Sequence, residues 1–213
     1  MLVEQLIAGA FDTNCYIIVS SKSAADCLII DAGLESAPIA GYLRQKKLNP
    51  VGVILTHGHI DHIAGLEDLL ANWPEIKIYI HSSDAPMLAG KNNLSEFAGL
   101  SPTKTKADYL LEDGQLIEAA QIRLKVLHTP GHTPGGICLY SADEGIVFAG
   151  DTLFAGSVGR TDFPGGNTKQ LLKSIKEKLL PLPDNTKIYP GHGPATTIAE
   201  EKKFNPFLQN FNW

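Results

Sequence analysis

The stretch Thr56-His57-Gly58-His59-Ile60-Asp61-His62 constrains this chain more than any other. It packs three imidazoles and a carboxylate directly behind the apolar run Val51-Gly52-Val53-Ile54-Leu55. That run is β-branched and leucine-rich, reads as a short buried strand, and should end near Thr56. Histidines at i and i+2 beyond a strand can point the same way, and Gly58 between them lets the backbone bend without a side chain in the way. Imidazole together with carboxylate oxygen is the ligand chemistry of zinc in hydrolytic sites. Three of the chain's seven histidines fall in this cluster, so separate capping or core roles for each are the weaker reading.

A metal site needs ligands from elsewhere in the chain, and three candidates stand out. His132 lies in Thr129-Pro130-Gly131-His132-Thr133-Pro134-Gly135-Gly136, after the strand-like Ile122 to Leu127. Asp151 follows Ile146-Val147-Phe148-Ala149-Gly150, and His192 is held in Pro190-Gly191-His192-Gly193-Pro194 after Lys187-Ile188-Tyr189. Each stands just past a strand-like run beside a glycine, so four strand ends meeting at one sheet edge would gather His57, His59, Asp61, His62, His132, Asp151 and His192. That set is too large for one tetrahedral zinc and predicts two divalent ions, zinc first, with iron and manganese also compatible with these donors.

The combination of His-x-His-x-Asp-His, Gly-His-Thr, Gly-Asp-Thr and Pro-Gly-His-Gly resembles the metallo-β-lactamase superfamily from about Gly9 to His192. The resemblance implies an α+β fold, the four-layer αββα sandwich. It also implies a ligand division of His57, His59 and His132 against Asp61, His62 and His192, with Asp151 bridging. Within that superfamily, Gly150 to Phe163 and the late Glu201 to Phe207 are similar to glyoxalase II enzymes, the hydroxyacylglutathione hydrolases that split thioesters such as S-lactoylglutathione. Longer glyoxalase II enzymes add a helical C-terminal region with basic residues for glutathione. This sequence stops at Trp213, 21 residues past His192, so residues 1–213 are expected to be one domain of the short type. Arg160 then stands as the expected substrate contact, with Asp61 and Asp151 serving as ligands and Asp61 also steering a proton of the attacking water.

The Gly159-Arg160-Thr161-Asp162-Phe163 segment also resembles persulfide dioxygenases, whose single iron would here match His57, His132 and Asp151. The segment Leu153 to Gly156, leading into that arginine, favours hydrolysis over oxidation. Hydrolysis of another ester, lactone, lactam or phosphoester stays open. A non-catalytic metal-binding protein is the weakest alternative.

Composition fits a compact domain with a substantial core: 213 residues, 44% of them hydrophobic. A net charge of −5 and the lack of a basic stripe argue against a nucleic-acid partner and leave a small-molecule thioester. No apolar stretch approaches the roughly 20 residues that span a bilayer, and Met1-Leu2-Val3-Glu4 lacks the look of a secretory signal. A cytoplasmic location is therefore expected. Cys15, Cys27 and Cys138 sit in apolar surroundings and read as small buried hydrophobes. His81 and His128 read as structural. Asp31, after Leu28-Ile29-Ile30, is either an acceptor orienting a metal histidine or a turn aspartate. Asp162 either lines the substrate mouth or pairs with Arg160.

Periodicity predicts strands at Leu2 to Ile7, Tyr16 to Val19, Cys27 to Ile30, from Val51, and at Ile76 to Ile80. Further strands are predicted at Asp108 to Leu111, Leu116 to Ala119, Ile122 to Leu127, Ile137 to Tyr140, Ile146 to Phe148 and Lys187 to Tyr189. Helices are expected at Glu35 to Lys47, Ile63 to Asn72 and Thr168 to Leu180, with a short one near the end and a loop with helical turns from Ala85 to Lys106.

Overall fold

The computed structural model describes residues 1–101 and 103–209. One sheet is formed by β1 (Leu2–Ala8), β2 (Thr13–Val19), β3 (Asp26–Ile30), β4 (Asn49–Ile54), β5 (Lys77–His81) and β6 (Tyr109–Leu111), in that spatial order. β1, β2 and β3 pair antiparallel, and β3 to β6 run parallel. The second sheet uses β7 (Leu116–Ala119), β8 (Ile122–His128), β9 (Ile137–Ser141), β10 (Ile146–Gly150), β13 (Lys187–Pro190) and β14 (Thr196–Thr197), ordered β14-β13-β10-β9-β8-β7. A small hairpin of β11 (Leu153–Phe154) and β12 (Ser157–Val158) follows β10.

The alternation of side chains along each strand divides the core into three layers. Tyr16, Ile18, Leu28, Ile30 and Ile54 face Leu124, Val126, Leu139 and Phe148 between the sheets. On the outer face of the first sheet, Ile17, Ile29 and Val53 pack against helices α1 (Ala37–Lys46), α2 (Ile60–Ile63) and α3 (Leu66–Asn72), through residues such as Ile39, Ile63 and Leu69. On the outer face of the second sheet, Val147, Ala149 and Ile188 meet α5 (Thr168–Ser174) and α6 (Ile198–Phe204) through Leu171, Leu172 and Ile198. Strands buried on both faces explain why their sequences read as continuous apolar runs. The expected αββα sandwich is the observed architecture.

Three local features bear on the site, two of them departures and one, the helical turns after Ala85, as expected. The helix expected from Ile63 is split: α2 begins at Ile60, so Asp61 and His62 stand on a helical turn, and the chain restarts as α3 at Leu66. The break lies at Gly65, whose amide donates to Gly33 O at 2.9 Å and where a Cβ would run into Ala32 O. The segment from Ala85 carries a tight helical turn at Ala85–Ala89 and α4 (Ser95–Ala98). α5 is capped by the Asn167 side chain, which accepts from Gln170 N, and widens into a π turn over Ile175–Leu179. Among the described residues no helix is long and apolar enough to cross a membrane.

Candidate metal centre

The four expected segments converge at one edge of the sandwich. β4 delivers His57 and His59, α2 presents Asp61 and His62, and the turns after β8, β10 and β13 bring His132, Asp151 and His192. Three groups of potential ligands result, each with its ligand atoms within 4.8 Å of one another: His57, His59 and His132; His57, His62 and Asp151; Asp61, His62 and His192. Asp151 stands between them, with Oδ1 3.5 Å from His62 Nε2 and Oδ2 3.5 Å from His132 Nε2 and 3.6 Å from His192 Nε2.

Hydrogen bonds on the far side of the rings set which nitrogen faces inward. His132 Nδ1 donates to Arg160 O (2.7 Å), and His192 Nδ1 donates to Phe11 O (3.0 Å). His62 Nδ1 donates to Asp31 Oδ2 (2.8 Å), and His57 Nδ1 lies 3.1 Å from Thr56 Oγ1, which itself donates to Asp31 Oδ2 at 2.8 Å. Asp31 thus orients one histidine directly and another through a hydroxyl; of its two readings, the structure bears out the orienting one. His59 is turned the other way, with Nδ1 2.9 Å from His132 Nε2.

The donors fit divalent metals. His57 Nε2 and Asp151 Oδ1 are buried without a hydrogen-bond partner, which costs free energy unless a cation satisfies them. Burial, reinforced by neighbouring imidazoles, holds His57 well below its ordinary pKa and pushes His59 down to about 3. Both rings are therefore neutral, as ligands must be. Burial acts against charge on His62 too, but the carboxylates of Asp61, Asp31 and Asp151 outweigh it and push the ring up to about 10. Carboxylates that favour a proton there favour any cation there, so protons and metal compete for the same lone pairs. Burial would raise Asp61, yet His62 and His192 hold its carboxyl far below the usual range.

A brace that periodicity does not reveal is Asp84, fully buried in the turn after β5. Its carboxylate accepts from Gly58 N (3.1 Å), Thr133 Oγ1 (2.7 Å) and Gly135 N (2.6 Å), tying the first histidine loop to the loop of His132. Burial nevertheless leaves its pKa raised, against the pull of those three donors. Asp84→Asn turns an amide NH2 toward at least one donor. It is expected to cost about 1–3 kcal/mol, seen as a lower melting midpoint with weakened metal retention; an unchanged midpoint would contradict the brace. Likewise Thr13 Oγ1 donates to Asp61 Oδ2 (3.3 Å), and Asn14 Nδ2 donates to Pro190 O (3.0 Å) and Gly193 O (2.8 Å), fastening the His192 loop. Gly191 makes this loop possible, since a Cβ there would run into Asp151 Oδ1 and the His62 ring.

The remaining expectations fall outside the cluster. His81 and His128 stack on each other (centroids 4.0 Å apart, 12° between planes), and His128 Nε2 donates to Pro134 O at 3.0 Å. All three cysteines are buried and free. Burial pushes the thiols of Cys27 and Cys138 up to about 12 and about 11, and raises that of Cys15 well above its ordinary value, so none offers a thiolate nucleophile. Arg160 lines the mouth of a cavity of about 460 Å³ above the cluster and forms a bidentate pair with Asp162, at 2.8 and 2.7 Å. The pairing pulls Asp162 down to about 2.

A mixed histidine and aspartate centre at the joined sheet ends of an αββα sandwich defines a metal-dependent hydrolase of the lactamase-like class. The chain belongs to the metallo-beta-lactamase superfamily, whose profile matches residues 8–192. It is 39% identical over 211 residues to the probable metallo-hydrolase YqgX of Bacillus subtilis (strain 168), covering 98% of each chain. It is 34% identical over 219 residues to the hydroxyacylglutathione hydrolase GloC of Haemophilus influenzae, covering 99% of each. The solved BLEG-1 B3 metallo-beta-lactamase matches with a TM-score of 0.91 and 35% identity, over 98% of this chain and 100% of that one. TTHA1623 in a di-iron-bound form matches at 0.87 and 34%, over 97% and 100%. ETHE1 from Myxococcus xanthus matches at 0.79 and 30%, over 97% and 84%.

Proposed function

We propose that the protein is a binuclear metal-dependent thioester hydrolase acting on S-lactoylglutathione or a related hydroxyacyl thioester, giving hydroxy acid and thiol from thioester and water. The observation that carries this reading is the convergence of two complete ligand groups on Asp151. In this assignment His57, His59 and His132 would hold one divalent ion, Asp61, His62 and His192 would hold the other, and Asp151 would serve both. The GloC relative supports the substrate class, and the di-iron TTHA1623 structure supports a pair of ions without deciding between zinc and iron.

Two bound ions supply a Lewis acid and an acidified water at neutral pH. The chain supplies the rest. Asp61, whose Oδ2 lies 3.3 Å from both Thr13 Oγ1 and His192 Nε2, is kept ionised and would orient the attacking water by accepting a hydrogen bond from it, the released proton passing to solvent. Asp31 and the backbone carbonyls of Arg160 and Phe11 hold the imidazoles in the tautomers that aim ring nitrogens inward. A thiolate leaves without an acid to protonate it, and neither a serine nor a cysteine nucleophile is needed.

Arg160, with Phe163 beneath its guanidinium, shapes the mouth and contacts substrate there. Arg160→Ala is expected to raise KM about fivefold with kcat and metal content little changed; an unchanged KM would leave Arg160 a purely structural partner of Asp162. A second reading, persulfide oxidation on one iron, is favoured by the likeness to ETHE1 and by the proximity of His57, His132 and Asp151. The two are separated by supplying S-lactoylglutathione and glutathione persulfide to the same preparation. Thioester loss without oxygen uptake is expected, and oxygen uptake with persulfide alone would overturn the hydrolase reading.

A further inference from the structure

The cavity above the candidate metal ligands is polar mainly at its floor. His59, Asp61, His132, Asp151 and His192 form that floor, whereas apart from Arg160 and Ser157 the walls and rim are apolar. Phe97 on α4 is 83% exposed and Phe11 in the β1–β2 turn 51% exposed, yet both line the cavity. Phe163 links rim to floor, with its ring 6.3 Å from Phe97 and 5.8 Å from His59. On the other ligand group, Phe154 lies 6.3 Å from the His192 ring. Aromatic rings brought to one mouth from separate segments, two of the rings exposed and two half-buried, are what an apolar ligand group covers.

The charges tell the same story. Arg160 is the one arginine or lysine among the described residues that line this cavity, and two of its three guanidinium nitrogens are already paired with Asp162. Nε and Nη2 both donate to Asp162, and the guanidinium carbon lies 3.9 Å over the Phe163 ring. The peptide of glutathione carries a carboxylate at each end, and recognising them takes cations that are not already paired. The protein's net charge of −5 adds no attraction.

We propose that this site selects thioesters of apolar thiols, aryl or branched alkyl, over those of charged peptide thiols such as glutathione. The inference rests on the thioester-hydrolase reading and names the leaving thiol within it. With the carbonyl at the floor and a small hydroxyacyl group attached, the thiol is the portion long enough to reach Phe163, Phe97 and Phe11. The aromatic contact and the displaced rim water then supply affinity that does not depend on salt.

The test compares two thioesters with the same acyl group and thiols of similar reactivity, S-benzyl thiolactate and S-lactoylglutathione, on the metal-loaded protein. The benzyl thioester is expected to show a kcat/KM higher by about tenfold or more. Phe97→Ala, at an exposed position that leaves the fold intact, should lower kcat/KM for that substrate about fivefold while moving the glutathione thioester less than about twofold. A faster glutathione thioester, or an equal effect of Phe97→Ala on both, overturns the proposal. Calorimetric binding of two inert thioethers, benzyl 2-hydroxyethyl sulfide and S-methylglutathione, separates this failure from failure of the hydrolase reading. If neither thioester turns over, that reading falls, while tighter binding of the benzyl sulfide, weakened by Phe97→Ala, upholds the apolar mouth. Tighter binding of S-methylglutathione overturns it.

Discussion

Asp151→Ala is expected to strip metal from the whole centre and to lower kcat by about a thousandfold. A residue that merely orients a metal ligand is worth about 10–100-fold, and Asp151 is placed to do more than orient. Its Oδ1 faces His62 while its Oδ2 faces His132 and His192, so its removal breaks the link between the two ligand groups at once. Its loss would also remove a carboxylate that offsets the charge of bound cations at the centre. Metal content per chain measured by mass spectrometry, beside turnover of S-lactoylglutathione, checks the expectation. Two tightly held ions in the variant would contradict the bridging role.

Asp31→Ala is expected to damage stability and metal affinity together. The Asp31 side chain accepts from Thr56 N (2.8 Å), Thr56 Oγ1 (2.8 Å) and His62 Nδ1 (2.8 Å), all buried. Each donor left without an acceptor costs about 1–3 kcal/mol. Asp31 also adopts φ of +60°, a conformation aspartate tolerates better than alanine does. Allowing for relaxation, a loss of about 4 kcal/mol is expected, which for a chain of this size lowers the melting midpoint by about 10 °C. Metal affinity should fall about 10–100-fold, because His57 and His62 lose the contacts that set their tautomers. Asp31→Gly separates the two causes: it relieves the backbone but restores no acceptor, so it should recover some stability and no metal affinity. Full metal affinity in either variant would show that Asp31 is a turn residue only.

The metal-ligand candidates are legible in the sequence because their segments each follow a strand-like run and contain glycine. Strands buried on both faces make such runs conspicuous, and a strand carries the residues at its C-terminal end to a fixed place. The features that escape are tertiary. Asp84 sits in Ser82-Ser83-Asp84 with no periodic or motif signal, and its importance comes from Gly58, Thr133 and Gly135, which only the folded chain brings to it. Thr13 and Asn14 are hidden for the same reason, as they meet the His192 loop from the far end of the chain, Thr13 by a backbone bridge to His192 and Asn14 by its side chain. The α2 turn and the β11–β12 hairpin are too short to show a period of 3.6 or 2. Gly58 is required for a different reason than its sequence suggests. Its backbone is not left-handed; instead the Met87 side chain occupies the place of its Cβ. Arg160 illustrates the limit of motif reading, since the sequence leaves open whether Asp162 is its partner or a second substrate contact, and the structure shows the pair.

The measurement that bears most directly on the central claim is a metal titration of the metal-free protein, with bound ions and S-lactoylglutathione hydrolysis monitored in the same sample. The account predicts that hydrolysis rises until about two divalent ions are bound per chain, as two ligand groups joined by Asp151 require. Saturation at one ion, with no thioester hydrolysis at any loading, would contradict it.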